Sequence, residues 1–331
     1  MSPKEFERRY APAWDELDSL VDRIATPKKD KDSAHRQDFS ALLPLYRRTC
    51  HHLALARDRG YPTFLVTRLN DLVHRAHQTL YRPKTRIWSQ VRDFVSFEFP
   101  QLVRANAAPM AISAAVFCLT LAVLGLLAYF RPEIVYSVFD QAQVAGFERM
   151  YNPAGKIIGR ERAADSDFMM FGVYIKNNIG ISFQVFASGM LLGAGSLFYL
   201  AINGIIIGAV AGYLTQIGYG ATFWSFVCGH SAFELTAIVI SGGAGLKLGF
   251  ALLAPGRLSR LQSLTLAARE AVRIVYGVAG MLFIAAFIEA FWSSNRSLPN
   301  EVKYAVAALL WSGVFYYFAF RGRHQNGSEP A

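Results

Sequence analysis

Asn177–Phe233 reads NNIGISFQVFASGMLLGAGSLFYLAINGIIIGAVAGYLTQIGYGATFWSFVCGHSAF, 57 consecutive residues without an Asp, Glu, Lys or Arg. One helix of that length would run ~85 Å at ~1.5 Å per residue, against a hydrocarbon core of ~30 Å. The stretch therefore folds back on itself within a membrane. Asn203-Gly204 and Gly218-Tyr219-Gly220 carry turn chemistry, so membrane segments are expected at about 178–201, 205–217 and 223–253. The middle one is short enough to be tilted or re-entrant.

Outward from this stretch, further spans are expected at about 105–130, 271–292 and 304–320. The fold class is all-α: a polytopic helical membrane protein of about six membrane segments, or five plus a re-entrant one. The 331 residues are 53% hydrophobic and 18% charged, against about 25% charged in ordinary soluble domains. That balance excludes a disordered chain and argues against a wholly soluble one.

The net charge of +10 is unevenly placed. The segment 1–104 carries +6, Lys247–Arg273 carries +4, and the loop 131–176 is balanced. Charges that flank apolar segments answer to the positive-inside rule rather than to nucleic acid. The N-terminal part, Lys247–Arg273 and the tail 321–331 are accordingly expected in the cytoplasm, which requires an even number of crossings. The loops 131–176 and 293–303 then lie outside. Cys50, Cys118 and Cys228 make no disulfide framework. Met1–Ala34 is polar and lacks the apolar core of a cleavable signal.

Residues 1–83 are expected to form a cytoplasmic helical bundle. Phe6, Tyr10, Trp14, Leu17, Val21 and Ile24 recur on one helical face. Phe39, Leu42, Leu43, Tyr46, Cys50 and Leu53 mark a second helix, and Leu65, Leu69, Leu72, Val73, Ala76 and Leu80 a third. Residues 84–104 set Trp88, Val91, Phe94 and Phe97 among Lys84, Arg86 and Arg92. This is the composition of an amphipathic helix lying on anionic lipid. His51, His52, His74 and His77 are read as surface histidines of the bundle.

Ionisable side chains inside a membrane are costly and point to function by default. His230 and Glu234 share a helix face at four-residue spacing, and Glu289 lies three residues from the end of its span. With Asn177 and Asn178 they form an expected polar cluster in the outer half of the bilayer. Two readings are open: a site for a proton, an ion or a headgroup, or a hydrogen-bonded clamp that fixes helix packing. No metal is expected, because His230 and Glu234 offer only two ligands and H-E-x-x-H is absent. Gly229, Gly242, Gly243 and Gly245 are read as close-packing positions, and Asn203 with Gly204 as a packing or turn site. No phosphate-binding loop or Gly-x-Ser-x-Gly elbow occurs, so no cofactor and no catalytic residue are expected. Gly189-x-x-x-Gly193 and Gly208-x-x-x-Gly212 suit contacts within one chain or in a homo-oligomer.

Several segments together carry a resemblance. They are Tyr174-Ile175-Lys176-Asn177-Asn178-Ile179, Ile202-Asn203-Gly204, and Gly229-His230-x-x-x-Glu234-Leu235-x-Ala237-Ile238. Ser241-Gly242-Gly243-Ala244-Gly245-Leu246 and Phe287-Ile288-Glu289-Ala290-Phe291 complete the set. The chain resembles the stage II sporulation protein M family of integral membrane proteins. Arg68-Leu69-Asn70-Asp71-Leu72-Val73-x-Arg75-Ala76-His77 is similar to the longer members of non-sporulating bacteria. The resemblance implies a non-catalytic scaffold of a cell-envelope complex in the bacterial cytoplasmic (inner) membrane. It also implies a partner class, MoxR-type AAA ATPases and von Willebrand factor A domain proteins, besides membrane lipids. A permease-like or lipid-handling subunit driven by a partner ATPase is the alternative.

Overall fold

The computed structural model describes residues 1–25, 32–80, 87–155, 167–295 and 297–323. The polar loop expected after Ala25, the start of the 84–104 segment, residues 156–166 of the long loop and most of the tail lie outside these residues. The described chain is helical throughout and divides into two compact units, Met1–Ile87 and Trp88–Ala331.

In the first unit the apolar stripes do what their spacing demands. Helices α1 (Pro3–Ala25), α2 (Asp32–Asp58) and α3 (Thr63–Leu80) bury Phe6, Trp14, Leu17, Leu42, Leu65 and Leu69 against one another. Pro12 and Pro44 lie inside their helices without ending them. Arg68 bridges Glu7 and Asp15 at 3.2 and 3.1 Å, and Arg75 bridges Asp18 and Asp22, tying α3 to α1 along an exposed edge. One expectation fails here. His52 is buried, because Trp14 Nε1 donates to its Nδ1 at 3.0 Å across the core.

The second unit begins within α4 (Ile87–Asp93), followed by a π-helical turn at Phe94–Glu98 and α5 (Phe99–Ala105). Trp88 is 86% exposed on this segment, while Phe99 is buried. Then come α6 (Ala107–Phe130), two short helices α7 (Val135–Val138) and α8 (Gln141–Tyr151), α9 (Asp167–Ala187) and α10 (Ala194–Gln216). The last three are α11 (Gly220–Leu253), α12 (Arg260–Phe287, extended by a π-helical turn to Ser293) and α13 (Asn300–Phe320). Among the described residues five helices, α6 and α10 to α13, are long and apolar enough to cross a membrane by length and composition.

The expected break at Asn203-Gly204 is not there. Both residues lie inside α10, a full-length helix of 23 residues, so the expected spans 178–201 and 205–217 do not exist as such. Asn203 Nδ2 donates to the Tyr199 carbonyl at 2.7 Å within the helix, which leaves its side chain locally satisfied. The chain turns instead between α9 and α10, where Leu192 and Gly193 take φ of 53° and 84°. Glycine tolerates that left-handed conformation without a Cβ clash. The second turn falls at Gly218, with φ of 87°.

Contacts fix the directions of the helices. A Cβ on Gly204 would meet Phe117 O at 2.7 Å, one on Gly208 would meet Gly125 N at 3.1 Å, and one on Gly212 would meet Tyr129 N at 3.0 Å. Successive turns of α10 thus meet successive turns of α6, and the two helices are parallel. Helix α9 supplies the return path between them. Its start (Met170, Tyr174) packs on the end of α12 (Ala286, Ala290), and its end lies against Gly245 of α11. Helices α6, α10 and α12 therefore run one way, and α9, α11 and α13 the other. Gln101 and Arg104 donate to the carbonyls of Gly322, Phe318 and Arg321, so both ends of this unit sit at one end of the bundle.

Neighbours approach the α11 backbone closely at Gly242, Gly243, Gly245 and Gly249, Gly243 facing α6 and Gly245 and Gly249 facing the α9–α10 turn. A Cβ on Gly243 would lie 3.1 Å from Met110 Cα, and one on Gly249 2.5 Å from Gly193 Cα. Gly229 differs: its nearest neighbour, Ile288 Cγ2 at 3.6 Å, is at ordinary contact distance.

Candidate functional site

Glu234 follows His230 by four residues on α11, so both side chains project from one face toward α12. The end of α12 widens into the π-helical turn Ile288–Ser293, which carries Glu289 and Ser293. Such turns displace side chains from the regular helical register and recur at functional sites. Here the turn aims two polar side chains at α11. The donor atoms of His230, Glu234 and Glu289 all lie within 4.8 Å of one another. His230 Nε2 is 3.8 Å from Glu234 Oε2, while its Nδ1 is 3.0 Å from Ser293 Oγ. The ring is 5% exposed and stands edge-to-face with Phe226 at 5.5 Å.

Behind Ser293 lies Lys303, from the first turn of α13. It is 2% exposed, and its Nζ donates to the Ser293 carbonyl at 2.9 Å. Neither Ser293 nor Lys303 was singled out from the sequence. The available signal was that Lys303 stands as the sole cation at the head of the last apolar segment.

Glu289 also borders a cavity of about 190 Å³, walled by Phe147, Met150 and Tyr151 of α8, Tyr174 of α9 and Phe226 of α11. The segment α8 is anchored over this end by Tyr213, whose hydroxyl donates to Glu148 at 2.6 Å, and its own first turn is closed by the Asp140–Gln143 capping box.

Asn177 and Asn178 lie on α9, one turn beyond Tyr174. Asn177 Nδ2 donates to Asn178 Oδ1 at 3.1 Å. Asn178 is 3% exposed, and its own Nδ2 has no hydrogen-bond partner among the described residues. Where α9 meets Gly245, Val185 and Phe186 stand opposite it; counting back along the parallel helices sets Asn178 level with Ala237 and Ile238. The asparagines are therefore about one turn from Glu234 along the bundle. Asn203, Gly204, Gly242, Gly243 and Gly245 belong to helix packing and not to the cluster.

Three nitrogen and oxygen donors on two helices, beside a small aromatic cavity, can share a proton, hold a cation or clamp two helices together. A domain of unknown function, DUF8413, matches residues 4–82. No curated protein and no solved structure matches the chain. The Stage II sporulation protein M family matches residues 113–294, just over half of the chain, from α6 through the Glu289 turn of α12. That match spans every residue of the His230–Glu234–Glu289 cluster, and the chain belongs to the Stage II sporulation protein M family.

Proposed function

We propose that the chain is a membrane-embedded scaffold of a cell-envelope complex, without turnover of its own. It sits in the bacterial inner membrane with both termini in the cytoplasm. The observation that carries this reading is the glycine-mediated backbone contact between helices. Gly189 and Gly193 press against Gly245 and Gly249, and Gly204, Gly208 and Gly212 press against α6. Interlocked backbones resist the sliding that alternating access requires, and they suit an anchor. The N-terminal unit, with its own core and charged edge, is the docking module. Its partners, following the family resemblance, are a MoxR-type AAA ATPase and a von Willebrand factor A domain protein.

The test is reconstitution in nanodiscs with these two purified proteins. Full-length chain should retain at least one of them, and a chain lacking residues 1–83 should retain neither while staying monodisperse. Equal retention by both chains would overturn the docking role. A second reading, a permease-like subunit energised by the ATPase, is favoured by the aromatic cavity beside Glu289. It predicts that Glu234→Ala leaves assembly intact and abolishes flux.

A further inference from the structure

We propose that His230, Glu234 and Glu289 bind one divalent transition-metal ion, with the cavity beside Glu289 offering room for a further ligand. Sequence spacing supplies two donors on α11; the antiparallel approach of α12 supplies the third. An imidazole with two carboxylates is a donor set suited to first-row divalent ions.

Three observations carry the assignment. First, the donors lie within 4.8 Å of one another, and the His230–Glu234 pair at 3.8 Å. Donors around a tetrahedral ion with bonds of about 2.1 Å stand roughly 3.4 Å apart, so small side-chain rotations complete the set. Second, the ring is oriented as a ligand would be. Nδ1 is engaged by Ser293 Oγ at 3.0 Å, which directs Nε2 toward the carboxylates. Metal-ligating histidines are commonly held this way through their other nitrogen. Third, two carboxylates this close together in an apolar bundle repel unless a cation or a proton lies between them.

The site goes beyond the scaffold reading and stands or falls apart from it, since partner retention and metal binding are measured separately. The experiment uses the full untagged chain in nanodiscs, stripped with chelator and titrated with Co²⁺ alone, read by visible absorption and by equilibrium dialysis. We expect one chelator-reversible Co²⁺ per chain. Glu289→Gln should weaken binding at least tenfold and change the visible bands. Ser293→Ala should weaken it about tenfold by freeing the ring. A chain carrying His35→Asn, His51→Asn, His74→Asn, His77→Asn and His324→Asn should bind as the parent does, which separates the site from every other histidine except His52, itself buried against Trp14. A parent chain without a stoichiometric site overturns the proposal. So does tight binding retained in folded Glu289→Gln and His230→Gln variants. Should those variants fail to fold, histidine-nitrogen coupling in the resonance spectrum of the Cu²⁺-loaded chain carrying all five His→Asn substitutions decides: its presence supports the site and its absence overturns it.

Discussion

A methyl group at Gly245 would fall 2.7 Å from the Phe186 carbonyl and 3.1 Å from that of Val185, and inside contact distance of Ser196 Oγ. Ser196 Oγ in turn donates to the Val185 carbonyl at 2.6 Å. Two of the three obstacles are backbone, so the helices must separate. Gly245→Ala is expected to cost roughly 1–3 kcal/mol and to lower the unfolding temperature in detergent. Gly313→Ala, where a Cβ meets nothing within 4 Å, should be neutral or slightly stabilising. Equal melting of the two variants would refute the packing argument. A second residue-scale prediction concerns His52. Burial first, then the charge of Arg48 and then His51, hold its pKa below the ordinary 6.5. The unfolded chain therefore binds the proton before the folded one does. The stability of the N-terminal unit should be at its full value above 6.5 and fall as the pH drops below it. Hydrogen exchange of α1 and α2 amides should accelerate from about pH 7.5 to about pH 5 (after correction for intrinsic rates), and His52→Gln should blunt that change.

At the scale of elements, the turn between α9 and α10 shows why sequence reading placed the break wrongly. Asn203-Gly204 has the composition of a turn, yet Gly204 is there because α6 approaches it, with Phe117 O at 2.7 Å from where a Cβ would be. A glycine that allows a turn and a glycine that allows contact look alike until the neighbouring helix is known. Gly193 is the reverse case: read as a packing residue, it also holds the left-handed conformation that turns the chain. Gly193→Ala should therefore cost about 1 kcal/mol or more from backbone strain, with a further penalty against Leu246 Cδ2 at 3.3 Å. Asn203→Ala, which loses one local hydrogen bond, should cost about 1 kcal/mol or less. Thermal melting of the two variants in the same detergent measures the difference. The helical periodicity of α1 to α3 and the length of the charge-free stretch were legible because each is local. The parts of the site contributed by α12 and α13 were not. Glu289 was visible as an intramembrane charge, but its π-helical setting was not, and neither was the burial of Lys303, which depends on where α13 docks.

For the whole molecule, the alternation of six helices fixes which connections share an end. The α6 start, the 254–259 connection and the end of α13 lie together, as Lys247 shows by reaching both Asn106 and Glu270. This end carries Arg104, Arg257, Arg260, Arg269, Arg273 and Arg321, with Glu98 and Glu270 as acidic partners. The opposite end holds α8, Gly218 and the 294–299 connection, where Glu133, Asp140, Glu148 and Glu301 stand against Arg131, Arg149 and Lys303, close to balance. The basic end should face the cytoplasm. In a chain whose Cys50, Cys118 and Cys228 have been replaced, Ala154→Cys and Ser297→Cys should react with a membrane-impermeant maleimide in intact cells. Arg257→Cys should react only after permeabilisation. Helix α9 is the decisive element, because it lies outside the five helices that qualify by length and composition alone. If it crosses with the others, residues 154 and 257 must label from opposite sides. Labelling of both from one side would mean that α9 stops short of crossing, and that the parallel pairing of α6 and α10 is not the arrangement in the membrane.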